Sequence, residues 1–540
     1  MLPLLRVENL KVDFVSEHHV VTAVNNISFE VKRGEVLALV GESGSGKSVT
    51  SLSVLRLLNE TQARYPSGKI LLSTDSESSI DILKLNAAQL QRIRGNTVSM
   101  IFQEPMTSLN PVMKCGKQIT EALTTHKKIS DKEAKKAALY WLEQVRLPQP
   151  AEIFHRYPHQ LSGGQKQRIM IAMAMCCEPS LLICDEPTTA LDVSVQRSIL
   201  DLILDLKSKH DIGVIFITHD LGVVKSIADR IAIMYKGEIV QQELKPSMLE
   251  ESPNASGGKD PLHPYTRALI ACRPELYPRG TPLPVVSDFL TGNRLPKTPD
   301  PFPANPTATN REVLLSTRNL TVAYPQKFNW LGKPVKEFVA VNNVNLEIFR
   351  GETLGLVGES GCGKTTLGRT ILGLVKPTSG EVIFKGRSTS LLNGKAQQQF
   401  RSNVQLVFQD PYSALNPRLE IGAAIAEPMM GSRLAARKKS EDLLAQVSLP
   451  PSSYHRYPHE FSGGQRQRIV IARALGLNPE LLVCDESVSA LDVSVQAQVL
   501  NLLNDLKRQL NLTVLFISHD QNVVNYMCDR VVRMEKGKLF

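Results

Sequence analysis

The chain carries one set of motifs twice in nearly constant register, and this duplication constrains the fold more than any other feature. Ser162 of LSGGQ, Asp185 of LLICDE and His219 of FITHD recur at Ser462, Asp485 and His519, and 462 − 162, 485 − 185 and 519 − 219 all equal 300. The glycine-rich segments GESGSGKS and GESGCGKT, from Gly41 and Gly358, are offset by 317, because the first copy is 17 residues longer between Lys47 and Ser162. A repeat of this length is a duplicated domain, well beyond the roughly 20 to 50 residues of a solenoid unit. The 540 residues therefore read as two domains, 5–275 and 313–540, each long enough to bury its own core.

Residues 276–312 read as a linker. Seven prolines between Thr281 and Pro306 (Pro282, Pro284, Pro296, Pro299, Pro301, Pro303 and Pro306) make it extended and semi-rigid, and a tether of that kind raises the effective concentration of one domain for the other. The copies end differently. The first continues past MYKGEIV into a tail containing PLHPYTRALIACRPEL, whereas the second stops at the matching MEKGKLF, so a second tail is either cut off or lacking.

Each copy opens with alternating segments of strand type, LRVENLKVDF and ISFEVKRG in the first. An apolar run, VLALV or LGLV, then leads into the glycine loop. Further on, apolar strands (LLICDE and VIFITHD; LLVCDE and VLFISHD) alternate with helical segments such as SVQRSILDLILDLKSKH. This order predicts an α/β fold with a mainly parallel sheet covered on both faces.

No apolar run approaches the about eighteen residues of a membrane span, and charges interrupt MLPLLRVENLKVDF before a signal-peptide core develops, so the chain is expected to fold in the cytosol. The eight cysteines form no CxxC pair and read as reduced, mostly buried thiols. The net charge of +10 comes from 63 basic and 53 acidic residues without a run of like charge, which favours a solvated surface over a nucleic-acid partner.

Strand, GxxxxGK[ST] and helix in succession form a phosphate-binding context. Glycines 41, 44 and 46, with Glu42, Ser43 and Ser45 between them, let backbone N–H groups close around phosphate oxygens, and the helix beginning at Lys47, Ser48 and Val49 adds its positive end. Lys47 is expected to reach the β- and γ-phosphates of ATP and Ser48 to coordinate magnesium. Gly358, Glu359, Ser360, Gly361, Cys362, Gly363, Lys364, Thr365 and Thr366 repeat the arrangement. Asp185 and Asp485 end apolar strands, where a carboxylate is suited to holding magnesium, each followed by a glutamate, Glu186 or Glu486.

With LSGGQ added, the sequence resembles the ATP-binding cassette (ABC) proteins over both halves. The resemblance implies two nucleoside-triphosphatase domains in tandem, each with a parallel core, an antiparallel β subdomain and a helical subdomain. It implies cassettes that stack head to tail within the chain, so that Ser162, Gly163, Gly164 and Gln165 close over the ATP held by Lys364, and Ser462, Gly463, Gly464 and Gln465 over that held by Lys47. Glu186 and Glu486 then match the residue that polarises the attacking water, and His219 and His519, each 33 residues further on, the histidine at the γ-phosphate. Gln103 and Gln409 match the Q-loop, which senses magnesium and the membrane partner, and Asp192 and Asp492 the D-loop. Phe14 and Tyr324 match the aromatic that stacks on adenine, with core packing as the alternative for either. One departure stands out: DEPTTALD in the first copy becomes DESVSALD in the second, with Ser487 and Val488 in place of proline and threonine.

The segments FQEPMTSLNP and FQDPYSALNP, YPHQLSGGQ and YPHEFSGGQ, and the HPYTRAL tail look like the dipeptide, oligopeptide and nickel importer branch. The fused pair resembles the ATPases of microcin C-type peptide and glutathione importers. This implies an ATP-hydrolysing motor peripheral to the cytoplasmic face of the inner membrane, bound to two permease subunits and, through them, to a solute-binding protein. The alternative is a soluble twin-cassette translation factor acting on ribosomes, a group that has a charged helical linker where this chain has a proline-rich one.

Overall fold

A computed structural model describes residues 2–16, 19–73, 78–103, 108–188, 191–249, 262–291, 312–328, 334–429, 432–489 and 491–540. The chain divides into two compact units, Met1–Ile270 and Ala271–Phe540. Of the linker read at 276–312, residues 292–311 lie outside the described residues, and 276–291 belong to the second unit.

In the first unit a six-stranded sheet takes the spatial order Glu238–Leu244, Arg230–Tyr235, Val36–Val40, Gly213–Thr218, Leu181–Asp185, Val98–Ile101. All neighbours are parallel except the first pair. The apolar runs are buried on both faces because alternate residues serve different layers. Leu182, Cys184, Val214 and Phe216 face a helical layer that includes Ile119, Trp141 and Ile169. Leu181, Ile183, Ile215 and Ile217 face Leu5, Val7, Ile27 and Ile70 of a second, antiparallel sheet. The alternating segment LRVENLKVDF forms one strand of that sheet, and its period of two slips at Asn9, whose φ of 46° coincides with a register shift between Val7 and Leu10.

The second unit repeats the plan, with a six-stranded sheet in the order Val404–Val407, Leu481–Asp485, Thr513–Ser518, Thr353–Val357, Arg530–Glu535, Lys538–Leu539 and a four-stranded antiparallel sheet beside it. In both units the strand preceding the glycine loop is central, the strand ending at Thr218 or Ser518 lies beside it, and the strand ending at Asp185 or Asp485 lies one further on. The carboxyl ends of these parallel strands are where an open α/β sheet offers a ligand crevice. All eight cysteines are free and buried, as their scattered spacing predicts, and no helix among the described residues is long and apolar enough to cross a membrane.

Candidate active sites

Each glycine loop is shaped by backbone that only glycine adopts without strain. Gly44 and Gly46 have φ of 79° and 101°, and Gly361 and Gly363 have 78° and 112°. A Cβ on Gly41 would lie 2.3 Å from Met234 O, and one on Gly358 equally close to Met534 O, so the loop grips the neighbouring strand from its first residue. Lys47 Nζ donates to the carbonyls of Gly41 and Glu42 at 2.7 and 2.8 Å, and Lys364 Nζ makes the same pair of bonds to Gly358 and Glu359. The ammonium is thus held over its own loop, 4% exposed, where an anionic oxygen can replace the carbonyls.

Ser48 Oγ donates to Asp185 Oδ1 at 3.1 Å, and Thr365 Oγ1 to Asp485 Oδ1 at 3.2 Å. Burial pushes the Asp185 carboxyl up to about 6, against the Ser48 hydrogen bond, and raises Asp485 as well. A hydroxyl and a buried carboxylate short of positive charge form a donor set suited to a hard divalent cation. Ser48, Gln103, Ser108 and Asp185 line one part of a cavity of about 520 Å³ whose other lining includes Leu52, Met100 and Phe102.

Glu186 and Glu486 turn out of their strands through left-handed backbone, with φ of 46° and 48°, and their N–H groups donate to Ile217 O and Ile517 O. Such strain in a non-glycine residue clusters at functional sites. The turn directs each carboxylate to two partners. Gln103 Nε2 donates to Glu186 Oε2 at 3.0 Å, and His219 Nδ1 lies 3.2 Å from Oε1. In the second unit Gln409 Nε2 donates to Glu486 Oε2 at 2.9 Å, and His519 Nδ1 lies 3.5 Å from that oxygen. The His519 hydrogen bond holds the Glu486 carboxyl below its ordinary range despite burial, and the same bond raises His519. The arrangement can orient a water and receive its proton beside a phosphate loop.

The signature segments open helices Gly163–Met175 and Gly463–Leu475 with reciprocal caps. Gln165 N–H donates to Ser162 Oγ while Ser162 N–H donates to Gln165 Oε1, and Ser462 with Gln465 does the same. A Cβ on Gly164 would come within 2.7 Å of Val195, and one on Gly464 within 2.0 Å of Val495, so these glycines let the signature helix pack on the helix after the D-loop. Gly163 has only Leu191 near its Cβ position, and Gly463 faces open space. Asp192 caps the following helix by accepting from Val195 N–H at 2.9 Å, and Asp492 occupies the matching N-cap position. Phe14 is half-buried on the first strand, opposite Val21 and Ala63, whereas Tyr324 is 41% exposed opposite Phe338. In the Q-loop region, residues 104–107 lie outside the described residues.

Two contacts were not foreseen from the motifs. The hydroxyl of Tyr265, in the HPYTRAL tail, accepts a hydrogen bond from Glu42 N–H within the first phosphate loop. A buried tyrosine in a proline-flanked motif was the available signal. Residues 279–283 meanwhile are held within the second unit through Arg279, the Gly280 and Thr281 carbonyls, and both backbone groups of Leu283.

Two phosphate loops, each with a Ser or Thr–Asp pair and a Gln–Glu–His cluster, define a duplicated nucleoside-triphosphatase. A family model described as "ABC transporter" matches residues 24–189 and 341–489. Curated relatives carry the name "Glutathione import ATP-binding protein GsiA". Those of Escherichia coli strain K12 and Salmonella choleraesuis strain SC-B67 are each 46% identical, over 546 and 540 residues, covering 99% of this chain and 85% of the relative. A solved structure titled as a dimeric post-hydrolysis state of the cassette MJ0796 bound to ADP and Pi is 26% identical, covering 44% of this chain and 97% of its own, with a TM-score of 0.40. The chain belongs to the ABC transporter family, as a tandem-cassette ATPase that binds ATP.

Proposed function

We propose that the chain is the motor of an importer for glutathione or a related short peptide, driving two permease subunits fed by a solute-binding protein from the cytoplasmic face of the inner membrane. The duplicated Gln–Glu–His cluster beside a buried Ser or Thr–Asp pair carries the ATPase part of this reading. The relatives named for glutathione import carry the choice of solute and favour transport over a ribosome-acting factor.

In this reading Lys47 and Lys364 leave their carbonyls for the β- and γ-phosphates, which the glycine N–H groups enclose. Ser48, Gln103 and Asp185, with Thr365, Gln409 and Asp485, would hold magnesium, which supplies neutralisation of the developing phosphate charge. Glu186 and Glu486 orient and polarise the attacking water and receive its proton, held in place by their glutamines. His219 and His519, each beside its glutamate, meet the γ-phosphate. Phe14 and Tyr324 stack on adenine. The signature residues Ser162 to Gln165 and Ser462 to Gln465 close over the nucleotide of the opposite cassette, with the D-loop residues Asp192 and Asp492 crossing between, so the cassettes 5–275 and 313–540 work as an intramolecular dimer joined by 276–312. ATP favours the closed pair and hydrolysis the open one, and the permeases follow through the contacts that differ between these states.

Uptake of labelled glutathione in a deletion strain, complemented with this chain and its neighbouring permease genes, tests the proposal. Restored uptake that disappears with Lys47→Ala plus Lys364→Ala is expected. Unchanged uptake in the deletion strain together with recovery of the chain on ribosomes would overturn it.

A further inference from the structure

Tyr265 sits in the helix Pro264–Ala271, and its side chain is fully buried. Its ring centroid lies 4.2 Å from that of Tyr235, at the end of the strand next to the phosphate-loop strand, with 31° between the planes. Its hydroxyl accepts from Glu42 N–H at 3.0 Å. That N–H shares a peptide plane with the Gly41 carbonyl, which accepts Lys47 Nζ at 2.7 Å. One peptide of the phosphate loop is therefore pinned at both ends, by a lysine on one side and a phenol on the other.

The two pins differ in what happens when nucleotide arrives. Lys47 has to turn toward phosphate and leave the Gly41 carbonyl, whereas the Tyr265 bond to Glu42 N–H can persist and go on holding this peptide. A buried aromatic ring packed against a second ring is a rigid acceptor, so the loop stays in its binding conformation without losing further freedom on binding.

The second unit lacks this pin among its described residues. Glu359 corresponds to Glu42 (359 − 42 = 317) and Glu535 to Tyr235 (535 − 235 = 300), so a carboxylate replaces the ring against which Tyr265 packs. Lys364 makes the same carbonyl contacts there. No tyrosine hydroxyl among the described residues meets Glu359 N–H, and Glu359, Arg533, Glu535 and Lys536 instead line part of a cavity of about 310 Å³.

We infer that Tyr265 is a positioning residue for the first phosphate loop, holding the Gly41–Glu42 peptide in its binding conformation. This rests on the ATP-binding reading of both loops. The test titrates the full chain with a fluorescent ATP analogue and magnesium, well below its melting temperature. With the second loop disabled by Lys364→Ala, adding Tyr265→Phe is expected to weaken binding about 3- to 10-fold, the effect of one lost hydrogen bond. With the first loop disabled by Lys47→Ala, Tyr265→Phe is expected to change nothing. Equal affinity with and without the hydroxyl in the first background, or equal weakening in both, overturns the inference. Undiminished binding by the Lys47→Ala, Lys364→Ala double variant would instead overturn the ATP-site reading. Hydrogen exchange of the nucleotide-free chain gives a second measurement. Residues 41–46 should exchange faster in Tyr265→Phe than in the unaltered chain while 358–363 keep their rate, and matching rates at 41–46 count against the pin.

Discussion

Arg279, fourteen residues beyond Tyr265, forms an ion pair with Asp529, a carboxylate that also accepts from Lys507 Nζ at 2.7 Å and from Thr353 N–H at 2.7 Å. The duplicated position, Asp229, accepts from Lys207 Nζ at 2.9 Å and from Val36 N–H at 2.8 Å. The side chains differ in setting: Asp529 is 7% exposed and Asp229 53%. The segment carrying Arg279 covers Asp529 within the second unit. Where Asp229 makes a half-exposed ion pair, Asp529 stands in a buried cluster of two cations around one carboxylate.

Breaking a buried pair leaves charge without compensation and costs far more than breaking an exposed one. Asp529→Asn is expected to destabilise the full chain by about 2–4 kcal/mol at pH 7, and Asp229→Asn by less than about 1 kcal/mol. Urea titration of each variant against the unaltered chain measures both. The pH dependence follows from the sign of the shift. Burial alone would raise the Asp529 carboxyl, but the Lys507 hydrogen bond and the cations around it hold it below its ordinary 3.8. Its contribution is therefore present above that value and lost as pH falls through the lower folded value. The gap between Asp529→Asn and the unaltered chain should be full at neutral pH and close under strong acid. A gap that widens on acidification would contradict the geometry.

Glu186 and Glu486 occupy equivalent strained turns with equivalent partners, so both sites are expected to hydrolyse ATP. Glu186→Gln and Glu486→Gln keep the side-chain shape but remove the proposed base. Because both nucleotides are enclosed by the same pair of cassettes in the proposed dimer, each variant is expected to stall both sites and lower steady-state ATPase activity by a factor on the order of 10² or more, while nucleotide binding persists. Phosphate release from the purified full chain is the measurement. A full rate in either variant would assign turnover to the other site alone.

The parts of these sites that the sequence made legible are local. Glycines 44 and 46 are required by left-handed backbone two residues apart, and Asp185 ends a five-residue strand whose first four residues are apolar. Spacing along the chain carries such features. The Gln103–Glu186 bond joins residues 83 apart, and only the resemblance to a known family brought the two into one site. Tyr265 and Glu42 are 223 residues apart, and Arg279 and Asp529 are 250 apart. A tyrosine in a tail or an arginine in a proline-rich stretch has no periodicity that marks its partner, because the contact depends on how two layers of the fold meet. The proline-rich reading of 276–312 likewise gave stiffness and reach but could not show that Leu283 exchanges both its backbone hydrogen bonds with Asn501.

The departure at Ser487 and Val488 tests how far the loop after the catalytic strand tolerates change. Ser487 is buried at the position of Pro187, directly after the strained Glu486. Proline lacks an N–H and fixes its own φ, so the replacement matters if the serine's donor or its freer backbone bends the loop. The anchoring distances argue against that. Glu486 N–H meets Ile517 O at 2.9 Å and Glu186 N–H meets Ile217 O at 3.0 Å, while the Gln409 and Gln103 bonds to the two carboxylates are 2.9 and 3.0 Å. The glutamate is thus fixed from the adjacent strand and the Q-loop, two supports that do not pass through Ser487. Ser487→Pro combined with Val488→Thr, which restores the first copy's residues at these two positions, is expected to leave ATPase activity within about 2-fold, a barrier change of less than about half a kcal/mol. Phosphate release at saturating ATP decides it. A gain of tenfold or more would show that the second site is held back by these two residues.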